Sequence, residues 1–174
     1  MNYAKINKND IANGIGIRVT LFVSGCTHYC KGCFNKEAWD FDFGQLFDEG
    51  VQNELLEALN PSYIGGLTLL GGEPMEPQNQ RALLPFLKRV KEVYKNKTVW
   101  CYSGYTFEEL TGASRARCEV TDEVLSLIDI LVDGEFQEEL KDISLRFKGS
   151  SNQRIIDMNK TRNSSRVILW NGEK

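Results

Sequence analysis

The chain has 174 residues, enough for one substantial core and short for two. Its hydrophobic share of 41% and charged share of 26% are those of an ordinary globular domain. A net charge of −3 and a pI near 5.3 lack the basic footprint that a duplex nucleic-acid partner demands, and a single histidine excludes any site built on two or three.

In chain order, apolar runs of strand length alternate with helical patterns. The opening "MNYAKINKND" is polar and carries no signal-peptide pattern. No apolar run approaches the roughly 20 residues of a membrane helix. The expectation is a cytoplasmic protein with reduced cysteines, five in all. "IRVTLFV" (17–23) alternates and is rich in β-branched residues, so it predicts a strand. "DEGVQNELLEAL" (48–59) predicts a helix capped by Asp48, with Val51, Leu55, Leu56 and Leu59 on one stripe. "GLTLL" (66–70) is a short buried strand. "NQRALLPFLKRVKEVYK" (79–95) has helical spacing, with Pro85 kinking the helix or opening it. "TVWCY" (98–102) and "IDILV" (128–132) are strands, with a helix at 121–128 between them. "RIIDM" (154–158) and "RVILW" (166–170) are two further strand candidates. Repeats, low-complexity segments and linkers are missing, which predicts a single domain over 1–174.

Such alternation predicts an α/β fold with a mainly parallel sheet. The first four strands end in "SGC", "GGEP", "SGY" and "DGEF". Carboxyl ends of parallel strands carry the chemistry in such folds, so these clusters should share one rim. A closed eight-stranded barrel needs about 200 residues or more. The expectation is therefore an open partial (β/α) barrel of five to six strands, whose wide mouth suits a large substrate such as a protein loop.

On that rim, "SGCTHYCKGCFN" (24–35) places Cys26, Cys30 and Cys33 on one short loop. Thiolates select zinc or iron–sulfur centres. A closed zinc site needs four ligands, and His28, between two of the cysteines, would have to wrap back on a strained loop. A four-cysteine cluster needs a fourth thiolate, and Cys101 and Cys118 are distant in sequence, although a strand end could bring Cys101 near. The third possibility is a [4Fe-4S] cluster with three protein ligands and one open iron. Gly25 and Gly32 would let the backbone approach it, and Trp39 would shield it. His28 is not expected to be a ligand.

C-x3-C-x2-C followed by Gly71-Gly72-Glu73 after the next strand resembles the radical S-adenosylmethionine superfamily. Within it, "CTHYCKGCFNKEAW" is similar to the activating proteins of anaerobic (class III) ribonucleoside-triphosphate reductases. Asn13, Gly14, Gly16 and Arg18 of the opening segment match as well, while Ile15 departs from the pattern. "LLGGEP", "WCYSGYT" and "DILVDGEF" continue the likeness in order, so it covers essentially the whole chain. The resemblance implies a [4Fe-4S] cluster on the three cysteines, with S-adenosylmethionine chelated at the open iron. One-electron cleavage would give a 5′-deoxyadenosyl radical, which takes a hydrogen from a glycine near the C-terminus of the reductase. The reductase would be the protein partner, and reduced flavodoxin or ferredoxin a suitable electron donor. Activation of another glycyl-radical enzyme, or a non-enzymatic iron–sulfur or zinc module, are the alternatives.

The cofactor contacts expected on the rim are Gly71, Gly72 and Glu73 at the ammonium end, Ser103 near the ribose or carboxylate, and Asp133. Arg154 is expected at the carboxylate or the reductase loop. Each has a plainer reading: a Gly-Gly turn, a strand-to-helix turn, an Asp-Gly turn, and one base among seven on a solvated face between 141 and 166.

Overall fold

The computed structural model describes residues 1–172. The described residues form seven strands: β1 (Asn2–Asp10), β2 (Ile17–Val23), β3 (Gln45–Leu46), β4 (Ile64–Gly71), β5 (Thr98–Tyr102), β6 (Ile130–Asp133) and β7 (Arg154–Asp157). They build one mixed sheet in the order β3-β1-β2-β4-β5-β6-β7. The four consecutive strands β2, β4, β5 and β6 pair in parallel, and both flanks are antiparallel. The parallel strands are mostly buried along their length, which is why they read as nearly continuous apolar runs.

Helices α1 (Glu49–Leu59) and α2 (Pro77–Val93) cover one side of the sheet. Asp48 caps α1 by accepting from the Val51 N–H, as its position predicts. Helix α2 begins two residues before the expected start because Pro77 supplies a first-turn residue with φ already set. It then runs unbroken through Pro85. Leu83, Phe86, Leu87 and Val90 pack on Leu21, Leu67, Leu69 and Val99. Two short helices, α3 (Phe107–Thr111) and α4 (Thr121–Leu127), link β5 to β6, and α5 (Met158–Arg162) follows β7. On the other side of the sheet, Trp100, Ile130 and Val132 pack with Phe147, Ile155 and Trp170.

Several elements differ from their sequence expectation. The polar opening segment is strand β1, held by its pairing with β2 although only Tyr3 and Asp10 along it are buried. The 166–170 candidate makes a single bridge, Ile156 to Leu169, and no strand. No helix of the described residues is long and apolar enough to cross a membrane.

Register decides what the sheet presents. Val23 lies beside Gly71, Leu69 beside Cys101, and Tyr102 beside Val132. The residues following β2, β4, β5 and β6 therefore emerge together along one edge. Arg18 sits near the opposite end, beside Gly66. It is buried and donates to Thr68 Oγ1, to the Leu67 and Thr98 carbonyls and to the Ile15 carbonyl. Burial pulls its guanidinium down to about 10, against the opposing pull of Tyr102, Asp129 and Asp10. A side chain at Gly14 would meet Arg18 Cδ at 2.7 Å. The opening motif thus builds the far pole of the sheet, away from the cysteines.

Candidate metal centre

The cysteine loop leaves β2 and is anchored at once. Gly25 N–H donates to the Ala38 carbonyl and Cys26 N–H to the Trp39 carbonyl, so the 3-10 turn Lys36–Trp39 closes the loop at its base. Gly25 has φ +94°, and a Cβ there would lie 2.2 Å from the Phe41 ring. Gly72 N–H donates to the Val23 carbonyl, and Glu73 N–H to the Gly25 carbonyl. A Cβ on Gly72 would sit 2.6 Å from the Gly25 carbonyl oxygen. The Gly-Gly pair is therefore what lets the loop after β4 press against the cysteine loop.

This packing forms a cavity of about 140 Å³. Cys26, Cys30 and Cys33 line it, together with Gly71, Gly72, Glu73 and Ser103. Trp39, Leu70 and Phe34 supply apolar wall. Burial pushes the Cys26 thiol up to about 12; backbone hydrogen bonding at His28 opposes this, and Glu73 adds to it. Burial first, and Glu135 second, push Cys30 up to about 11. A cation bound at the sulfurs would reverse that direction.

Glu73 is buried and grips three segments. Its Oε1 accepts from Met75 N–H at 2.8 Å, and its Oε2 from Gly104 N–H at 2.6 Å. The same Oε2 lies 3.1 Å from His28 Nε2. His28 Nδ1 faces Glu135 at 3.7 Å. Burial lowers the affinity of this imidazole for a proton, but the Glu73 hydrogen bond and charge outweigh it and the net shift is upward. His28 is thus engaged by carboxylates on both ring nitrogens.

Two further residues complete the clamp, and no sequence pattern announced them. Glu76 stands at the N-cap of α2 but leaves that helix uncapped. Its Oε1 instead accepts from Thr27 N–H and Oγ1, at 2.9 and 2.5 Å, and from Tyr105 O–H at 3.2 Å. Asn79, buried in the first turn of α2, donates through Nδ2 to the Ser24 and Glu73 carbonyls. In sequence Asn79 opens the expected helix and Glu76 lies before it; only the fold turns them toward the cysteine loop.

Ser103 lies on the cavity, its Oγ accepting from Tyr105 N–H. Asp133 and Arg154 lie in an adjoining cavity of about 260 Å³ that shares His28, Gly104 and Gly134 with the first. The Arg154 guanidinium donates to both oxygens of the fully buried Asp133, at 2.9 and 2.5 Å, and spans Glu108 at 3.0 and 2.6 Å. Its pKa rises, chiefly through the Asp133 and Glu108 hydrogen bonds. Asp133 also accepts from Phe107 N–H. Cys101 is buried in the sheet, and Cys118 contacts Gln80 and Thr121; neither lines the cysteine cavity.

The donor set fits an iron–sulfur cluster. Three soft donors share one cavity, and the nearby histidine is engaged by carboxylates. Among the described residues no three Cys, His, Asp or Glu side chains have already converged to the spacing of an ion's ligands.

Comparison with known proteins agrees. A family model described as a 4Fe-4S single cluster domain matches residues 12–156. A relative from Pasteurella multocida is 46% identical over 157 residues, spanning 89% of this chain and 96% of its own. One from Haemophilus influenzae is 45% identical, over 89% and 97% of the two chains. One from Escherichia coli K12 is 41% identical over 155 residues, or 88% and 96%. All three are called anaerobic ribonucleoside-triphosphate reductase-activating protein. With the cysteine loop, its clamp and these relatives in register over nearly the whole chain, the protein belongs to the family of anaerobic ribonucleoside-triphosphate reductase-activating proteins.

Proposed function

We propose that this protein activates an anaerobic ribonucleoside-triphosphate reductase in the cytoplasm by creating a glycyl radical near the reductase C-terminus. The proposed cofactors are a [4Fe-4S] cluster held by Cys26, Cys30 and Cys33, and S-adenosylmethionine. The family model and the relatives' names support the cluster and the target. The observation that carries the reading is the shared cavity: three thiols, with no other cysteine on it, against the ends of β4 and β5. When bound, the two groups supply one-electron cleavage of the sulfonium, releasing methionine and a 5′-deoxyadenosyl radical able to take the glycine hydrogen.

The chain's own residues prepare that chemistry. Gly71 and Gly72 permit close approach of two loops, Glu73 locks them in register, and Trp39 with Leu70 keeps water from the sulfurs. Ser103 and Asp133 are proposed to border S-adenosylmethionine on the two adjoining cavities. Arg154 serves the site by pinning Asp133. The sheet is read as the open partial (β/α) barrel of the radical S-adenosylmethionine type, open enough to admit a polypeptide. Reduced flavodoxin or ferredoxin is the proposed electron source.

The test is anaerobic reconstitution with iron and sulfide, reduction, and addition of S-adenosylmethionine and reductase. Release of 5′-deoxyadenosine with a glycyl-radical doublet in electron paramagnetic resonance is expected. A colourless zinc protein, or a doublet on some other glycyl-radical enzyme but never on the reductase, overturns the reading.

A further inference from the structure

We propose that Tyr105 is a positioning residue for the cleavage step, fixing the start of the cysteine loop against Ser103. This rests on the functional reading above and names the residue that sets two sides of that site relative to one another.

Tyr105 is 1% exposed and packs in the main core. A core place asks only for apolar volume, which phenylalanine would fill, whereas a buried phenol must also find a partner for its O–H. Here the O–H donates to Glu76 Oε1 at 3.2 Å and lies 3.4 Å from Thr27 Oγ1. The same Glu76 oxygen accepts from Thr27 N–H and Oγ1. Three donors thus converge on one carboxylate oxygen. Thr27 directly follows Cys26, whose own N–H is bound to the Trp39 carbonyl. The backbone at Cys26 is therefore held on both sides, and Tyr105 completes one of the two anchors. The ring reaches one residue further: the His28 and Tyr105 centroids are 4.3 Å apart. The Arg115 guanidinium closes over the same turn, 5.4 Å from the Tyr105 ring centroid and 3.4 Å from the Thr27 carbonyl.

The backbone of Tyr105 supplies the other half of the link. Its N–H donates to Ser103 Oγ at 3.1 Å. Ser103 lines the cysteine cavity, and Tyr105 lines the adjoining one. The flanking backbone is tied down as well: Gly104 N–H is bound by Glu73 Oε2, Phe107 N–H by Asp133, and Thr106 caps α3. Side chain and backbone of one residue thereby join the cysteine loop to the loop after β5. In the functional reading S-adenosylmethionine touches both loops, so an error in their separation falls on the reacting bond. Misplacing reacting groups by about 1 Å costs on the order of 10²-fold in rate.

The experiment reconstitutes the wild type, Tyr105→Phe, Thr27→Val and the double variant with iron and sulfide. Each is read for iron content, for 5′-deoxyadenosine release per cluster at saturating S-adenosylmethionine, and for the electron paramagnetic resonance line shape of the reduced cluster with S-adenosylmethionine added. Tyr105→Phe keeps the ring and removes only the O–H. It is expected to take up iron as the wild type does, to release 5′-deoxyadenosine at least about tenfold more slowly per cluster, and to change the line shape, as a displaced ligand would. The double variant should lose no more than the poorer single variant, because both hydroxyls act on one oxygen. Wild-type release per cluster or an unchanged line shape in Tyr105→Phe overturns the proposal. So does a Tyr105→Phe protein that takes up no iron, which would make the residue merely structural, and so do losses that multiply across the pair. A wild type that never releases 5′-deoxyadenosine overturns the functional reading instead.

Discussion

Glu73 brings one carboxylate to donors on three segments: its own loop, the loop after β5, and the cysteine loop. That arrangement explains why an acid follows the Gly-Gly pair. A neutral, shorter side chain would leave Gly104 N–H and His28 without their acceptor in a buried place. Glu73→Ala is expected to bind iron and sulfide in normal amount yet lose at least about 10²-fold in S-adenosylmethionine cleavage, because small misplacements of reacting groups cost that much. Glu73→Gln should fall between, since one amide oxygen replaces two carboxylate oxygens. Iron analysis beside 5′-deoxyadenosine release checks it; full activity in the alanine variant refutes the clamp. Glu73 stood out in the sequence beside Gly71 and Gly72. The partners of Glu76 and Asn79 were not, because a helix start tells nothing of which loop will lie against it.

At the scale of elements, helix α2 connects the site to the core. Its N-terminal residues hold the cysteine loop, and its apolar stripe packs on the sheet. Pro85 sits inside it on the exposed side, with no N–H to offer the Arg81 carbonyl. The kink-or-start alternative resolves as an internal proline because Pro77 already fills the first turn and the flanking leucines have buried partners. Pro85→Ala should restore the missing hydrogen bond and stabilise the protein by about 1–2 kcal/mol, after allowing for the looser unfolded chain. A thermal or urea melt of the variant measures it; a lower midpoint would mean that the proline itself stabilises the helix there. Strand β1 teaches the opposite lesson. Its polar residues carry little pattern, and it exists because β2 offers a free edge to pair with.

For the whole molecule, the four strand ends are the decisive feature, since they deliver thiols, glycines and carboxylates from distant sequence to two adjoining cavities. Cluster binding should therefore tie several loops to the sheet at once. Anaerobic loading with iron and sulfide is expected to raise the melting midpoint by at least about 5 °C, because a ligand that binds only the folded chain stabilises it. Changing any one of Cys26, Cys30 or Cys33 to Ala should abolish that gain, whereas Cys118→Ala should leave it intact; differential scanning calorimetry decides. The sequence by itself determined the cysteine spacing, the alternation of strand and helix, the Asp48 cap and the family, because each rests on residues close along the chain or on a local period. Only the tertiary structure decided that Asp133 grips Arg154, that Arg18 braces the far pole, and that Glu76 and Asn79 hold the cysteine loop. Those contacts span roughly 20 to 55 residues, and strand register, set by burial on both faces of a sheet, is what brings them within hydrogen-bonding reach.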